Sequence, residues 1–206
     1  MEKAKRKARE FQLRRTEILE QSVKIFAAKG FYNTTVAEIA DASGFAVGTL
    51  YQFFAGKEQL YTELLSEKTA AMYAEVRESV TQQDDVVRKI EVLIAAQFEF
   101  VQNNAEFCSI FVRGDHLSLS EGSRELRKRM MENYAAHVSF IEAVMEEGIC
   151  AGVLKPMDPR MMAVALTGII NSCATKWLTL WEEFSLKEQV PLVVDIFLEG
   201  VKRHEA

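Results

Sequence analysis

Apolar positions recur along most of this chain at helical spacing, and strand-like alternation is absent. Ile18, Leu19, Ser22, Ile25 and Phe26 form one stripe, which predicts a first helix over about residues 10–29. Gly30 closes it, the residue a left-handed helix end prefers. Thr35-Val36-Ala37-Glu38 is a T-x-x-E capping box and opens a short second helix over residues 36–42, which Gly44 ends. A third short helix is expected over about 46–53. A fourth opens at Gly56-Lys57 and buries Leu60, Leu64 and Met72. Beyond Ser79 the scale changes, with long helices expected over about 84–103, 105–113, 123–151, 158–183 and 186–203. Asp158-Pro159 reads as an N-cap followed by proline at the first helical position, and Ser185-x-x-Glu188 as another capping box. Residues 114–122, GDHLSLSEG, read as a flexible loop.

The fold class is therefore all-α. A small N-terminal helical domain, residues 1–57, precedes a larger helical bundle, residues 58–206, and the change of scale falls within or just after the fourth helix. No internal repeat is visible.

Charge sharpens this division. The net charge is −5, yet residues 1–57 carry ten Lys and Arg against six Asp and Glu, a balance of +4, while the rest carries −9. A basic front on an acidic body suits a chain that meets an anion with one end. The start, MEKAKRKAREFQLRR, has no apolar core and is not a secretory signal. No uninterrupted run of about 18 apolar residues occurs, so no membrane partner is expected. Cys108, Cys150 and Cys173 show no C-x-x-C spacing and read as reduced thiols of a cytoplasmic protein.

The short helices carry the informative chemistry. Ala40 lets two helices cross closely, and Gly44 supplies a turn that needs a positive φ. Phe45, Leu50 and Phe54 anchor the third helix. Val47, Gly48, Thr49, Gln52 and Phe53 are left without core work. A helix with small, uncovered side chains can enter a DNA major groove, which is about 12 Å wide. Helix, glycine turn and exposed helix together make a helix-turn-helix.

The same block resembles the DNA-binding domain of TetR-family transcriptional regulators. The likeness rests on Ala27, Gly30-Phe31, Thr34-Thr35, Ile39-Ala40, Gly44 and, most densely, GTLYQFFAGKEQL from Gly48 to Leu60. It spans about residues 18–65; beyond that only length and helical character agree. The resemblance implies that Thr35 caps the second helix and binds a phosphate, and that Ala37 faces the bases. It puts Val47, Gly48 and Thr49 at base edges, Tyr51 on the backbone and Lys57 on a phosphate. Two positions depart from the family pattern. Phe53 stands where His or Tyr is frequent, and Ala55 where a basic residue is common. The basic start, with Lys3, Lys5, Arg6, Lys7 and Arg9, offers electrostatic compensation, although such a run is also an ordinary solvated helix start.

One reading unit touches few base pairs, so a homodimer on a palindromic operator is expected, on physical grounds and by the resemblance. The segment at about 158–183 is apolar nearly all round, and the one at about 186–203 carries a second apolar stripe. They contain Ala163, Ala165, Gly168, Ser172 and Ala174 in the first, and Leu192, Val193, Ile196, Phe197 and Val201 in the second. They are the expected seam, with an intramolecular core as the alternative. The family's usual logic further implies repression relieved by a small, largely apolar or aromatic effector. Candidate lining residues are Phe107, Phe111, Tyr134, His137 and Trp177, set among Gln97, Phe98, Phe100, Met130, Met131 and Phe140. An aromatic stripe at helical spacing is also what a plain core looks like.

Three rival readings remain at this point. One is a DNA-binding redox sensor using a cysteine thiol, one a ligand-free architectural DNA binder, and one a helical enzyme. No catalytic constellation, Gly-rich phosphate loop or metal-ligand spacing among His116, His137 and His204 supports the last, and no cofactor or metal is expected.

Overall fold

The computed structural model describes residues 2–114, 122–180 and 184–201, and every regular element among them is helical. In chain order these are α1 (Glu2–Lys29), α2 (Val36–Ala42), α3 (Val47–Phe53), α4 (Lys57–Thr81), α5 (Val86–Asn103) and α6 (Ala105–Arg113). Then come α7 (Gly122–Cys150), α8 (Pro159–Leu180), a 3-10 turn (Leu186–Gln189) and α9 (Val190–Val201). Residues 115–121 of the expected loop, His116 and His204 lie outside the described residues.

The local signals act as expected at the front of the chain. Gly30 and Gly44 adopt φ of +78° and +70°, a region where a side chain would be strained. Thr35 and Glu38 make both arms of the capping box. Asp85 caps α5 through the Arg88 amide, and Asp158 accepts from the Met161 amide at 2.9 Å.

Four expectations need correction. Met72 is half-buried rather than buried, and Phe53, expected to be free of packing, is half-buried against the Phe11 ring. The first helix starts at Glu2, not near residue 10. Residues 2–9 bury nothing, but Ala, Lys, Arg and Glu are strong helix formers, so propensity extends the helix beyond its apolar stripe. Ser185-x-x-Glu188 does not form a capping box. The Ser185 hydroxyl is engaged with the Gln102 side chain, and the Glu188 amide bonds to the Ser185 carbonyl to make a 3-10 turn. α9 then starts at Val190, with Pro191 in its first turn, where a missing N–H is harmless.

By its internal contacts the chain forms two units. The first comprises residues 1–67 and 106–128, the second 68–105 and 129–206. In the first, α2 packs on α1 and α3 over Ile18, Phe26, Ile39, Leu50 and Leu64, all buried. Phe26, Phe31 and Tyr61 form an aromatic cluster in which Tyr61 meets both Phe rings at 4.9 Å. Arg15 ties α1 to α4 through Glu63 and Glu67, and Arg113 of α6 donates to the Ala27 carbonyl.

In the second unit α5 is the central helix, packed by α8, α9 and the 3-10 turn. Ile90, Leu93, Ile94 and Phe98 meet a core that includes Leu166, Ile170, Val193 and Phe197. Gly148 marks the tightest approach. A Cβ there would stand 2.6 Å from Leu154 Cδ1 and 2.8 Å from Val86 Cγ1.

α8 is long and apolar enough to cross a membrane by length and composition, which a search for uninterrupted apolar runs misses. Only 33% of its apolar window is buried within the chain. Its uncovered positions include Met161, Val164, Ala165, Gly168, Ser172 and Thr175, which fall on one face.

Candidate nucleic-acid interface and regulatory core

In the first unit the turn after Gly44 leaves α3 with one buried anchor, Leu50. The opposite face is bare. Val47 is 40% and Tyr51 55% exposed, Gly48 and Gln52 are exposed, and Thr49 is half-buried. A Cβ built at Gly48 meets nothing within 4 Å, so the helix backbone itself is approachable. Ala37 on α2 is exposed as well. Two neighbouring helices thus present small and uncovered side chains.

The polar groups around that face are already wired together. The Thr35 hydroxyl donates to Glu38 Oε2 at 2.9 Å and accepts from the Glu38 amide at 3.2 Å. Lys29 pairs with the same carboxylate, and these contacts, Lys29 foremost and then Thr35, hold the Glu38 carboxyl down to about 2. Lys57 stands at the N-terminus of α4. Its ammonium donates to the carbonyls of Phe31 and Thr34 at 2.7 Å each and lies 4.3 Å above the Phe31 ring. Two of its three N–H groups are therefore committed to the α1–α2 connection, and one is left for another acceptor.

The five residues singled out for an effector fall in different surroundings. Phe107 is buried and meets Phe111 edge-on at 5.2 Å, both in the first unit. Tyr134, His137 and Trp177 belong to the second. Trp177 is half-buried and its indole N–H donates to the Phe184 carbonyl at 2.9 Å. His137 is 1% exposed, stacked on Tyr73 with centroids 4.0 Å apart, and its Nε2 has no hydrogen-bond partner. Burial, reinforced by Arg77, pushes the His137 imidazole down to about 4, so it is neutral at physiological pH. Burial, with Tyr134 adding, pushes the Tyr73 phenol up to about 12. Gln97 Nε2 is a second buried group without a partner.

Tyr73 also lines a groove of about 490 Å³, together with Ala70, Ala74, Arg77, Asn133 and Ala136 of α4 and α7. Tyr73, Arg77 and Asn133 were not singled out from the sequence. The usable signal was an aromatic and a cation at i, i+4 on α4, beside small Ala70 and Ala74. Arg77 lies over Phe140 at 5.2 Å.

Cys108, Cys150 and Cys173 are free thiols. Cys108 is buried, and burial pushes the Cys173 thiol up against the opposing effect of Lys176, the reverse of what a reactive thiol needs.

Comparison with known proteins identifies the class that this helix-turn-helix and helical core define. Residues 18–64 match the family described as bacterial regulatory proteins, tetR family, and residues 65–200 the YsiA-like protein C-terminal region. The chain belongs to the TetR family and is a transcriptional regulator, not an enzyme. It is similar to the fatty acid metabolism regulator protein of Bacillus subtilis strain 168, with 23% identity over 186 residues, covering 90% of this chain and 94% of that protein. The transcriptional repressor KstR2 of Mycobacterium tuberculosis is 35% identical over 91 residues, 44% of this chain and 46% of the other. Among solved structures, the fatty acid degradation regulator FadR of Bacillus halodurans superposes with a TM-score of 0.80 at 23% identity, covering 91% of this chain and 95% of that one. FadR of Bacillus subtilis in complex with stearoyl-CoA gives 0.77 at 22%, covering 90% and 98%.

Proposed function

We propose that this regulator is a repressor that binds a palindromic DNA operator as a homodimer and releases it when a largely apolar effector occupies its second unit. The observation that carries the reading is the bare face of α3, where Val47, Gly48 and Tyr51 are uncovered beside a glycine turn. In this reading residues 1–57 read DNA and residues 58–206 regulate. Val47, Gly48 and Thr49 lie at base edges, with Ala37 beside them, and Thr49 bonds a base or touches a thymine methyl. Tyr51 and Lys57 hold phosphates, Lys57 through its remaining N–H. Thr35 reaches a phosphate only by giving up its bond to Glu38.

The uncovered stripe of α8 and the exposed Leu192 and Ile196 of α9 support a dimer seam over about residues 158–183 and 186–203. Small residues on that stripe permit close packing with a symmetry mate. The effector reading rests on the unpartnered nitrogens of His137 and Gln97 and on the stack of Tyr73 on His137, with Tyr134 acting on the same phenol. Relatives named for fatty acid control, one solved with stearoyl-CoA, favour an acyl chain with a polar head over a ketosteroid. Release follows if the effector prefers the spacing of reading heads that does not fit DNA.

The test is a duplex selected by the protein from a random pool, titrated with long-chain acyl-CoA, free fatty acid and ketosteroid in turn. Binding as a dimer with release by an acyl compound is the expected result. Thr49→Ala should shift base preference at one position by about 1–3 kcal/mol. Equal loss on every sequence would contradict its role.

A further inference from the structure

Phe11 and Arg15 stand one turn apart on α1 and grip two consecutive residues at the end of α3. The Phe11 ring lies 4.3 Å from that of Phe53, and the Arg15 guanidinium lies 5.3 Å above Phe54 while bonded to Glu63 and Glu67. The last residue of the recognition helix is therefore clamped to α1. Beyond Phe11 the helix continues without a break through residues 2–10, all exposed. Those nine residues hold Lys3, Lys5, Arg6, Lys7 and Arg9, and none of the five has an ion pair among the described residues. Helical spacing puts Lys3 and Lys7 on the same side as Phe11, about 12 Å and 6 Å further along the axis. Lys5 and Arg9 fall on the other side.

Five unpaired cations on an exposed helix within a chain of net charge −5 call for an anionic partner. A helix pinned to the recognition helix is carried to whatever α3 itself lies on. We infer that residues 2–10 form a rigid second DNA contact, laying Lys3 and Lys7 on the phosphates that flank the bases read by α3, with the Phe11–Phe53 joint setting the angle. The inference rests on the DNA-binding reading and extends it. Phe53 stands where a polar phosphate-binding side chain is frequent in the family, and here that position anchors a longer basic element instead. Because the element is already helical, it loses little conformational entropy on binding, unlike a flexible arm.

The experiment compares wild type, Lys3→Ala/Lys7→Ala, Lys5→Ala/Arg9→Ala and Phe11→Ala. The probe is a duplex selected by the wild-type protein, in a short form ending at the specific core and a long form with flanks. Removing Lys3 and Lys7 should reduce the slope of log affinity against log salt by about 1.8 per protomer on the long duplex and leave it unchanged on the short one. Removing Lys5 and Arg9 should change it far less. Phe11→Ala keeps every cation and should still lose about tenfold on the long duplex only, with helicity and thermal midpoint close to wild type. Equal slopes for wild type and the Lys3/Lys7 variant overturn the inference. So does equal loss on both duplexes, or a Phe11→Ala protein that binds the long duplex as wild type does. Wild-type binding to the short duplex checks the DNA reading separately, and its absence would remove both. Preferential capture of anionic vesicles over the long duplex would also overturn it.

Discussion

The polar groups beside α3 and those buried around His137 are handled in opposite ways. In the first, the groups beside the bare face of α3 are engaged with one another: Thr35 with Glu38, Glu38 with Lys29, Lys57 with two carbonyls. In the second, His137 and Gln97 bury nitrogens that bond to nothing. A buried donor or acceptor without a partner costs about 1–3 kcal/mol. The polar groups around the bare face of α3 are thus satisfied as folded, whereas the core of the second unit holds two nitrogens that the proposed effector would satisfy. This is the arrangement a ligand-dependent switch needs, since only differential affinity for two states moves an equilibrium.

Acid should expose the contrast most strongly. The imidazole of His137 sits near 4 in the folded chain against about 6.5 when unfolded. Above pH 6.5 both states hold it neutral and it contributes no pH dependence. As pH falls from 6.5 to 4 the unfolded state takes up the proton first, and stability drops by about 3 kcal/mol before levelling. Denaturant midpoints across that window, with His137→Phe as the reference, check it; the variant should flatten the loss. Glu38 adds a loss of the same sign at the acid end of that window, because its carboxyl takes up a proton near 4.5 when unfolded and only near 2 when folded.

Lys57→Met comes next. It keeps the stem but strips two carbonyls of a charged donor, so the thermal midpoint should fall by the equivalent of about 2 kcal/mol. DNA affinity should weaken on all sequences, with the salt slope flattened by about one. A normal midpoint with weakened binding would mean that the ammonium works on DNA alone. The smallest effect carries the opposite sign. His137→Phe removes the unpartnered nitrogen while keeping an aromatic against Tyr73, and should stabilise the free protein by about 1 kcal/mol while blunting its response to effector. Destabilisation without loss of response would break the comparison.

Legibility followed range. Gly30, Gly44, the Thr35–Glu38 box and the anchors Leu50 and Phe54 were readable because each acts within a few residues, through φ, a cap or helical spacing. Ser185-x-x-Glu188 has the equivalent pattern and failed, because Gln102, 83 residues away, takes the serine hydroxyl. Tyr73 was missed since its local signal, an aromatic one turn before Arg77, says nothing of a stack on a histidine 64 positions later. Gly148 gave no sign of its role for the same reason: Val86 and Leu154 reach it from other elements.

The sequence by itself determined that the chain is helical, that a glycine turn separates two short helices near its start, and that its front is basic. Those properties come from backbone freedom, capping and spacing, which neighbours in the chain decide. Only the tertiary structure decided that Lys57 bonds two carbonyls, that Phe11 rests on Phe53, and that His137 is sealed without a partner. Each of these depends on which surfaces the packed helices bring within a few ångströms, and burial alone sets what an unpaired polar group costs.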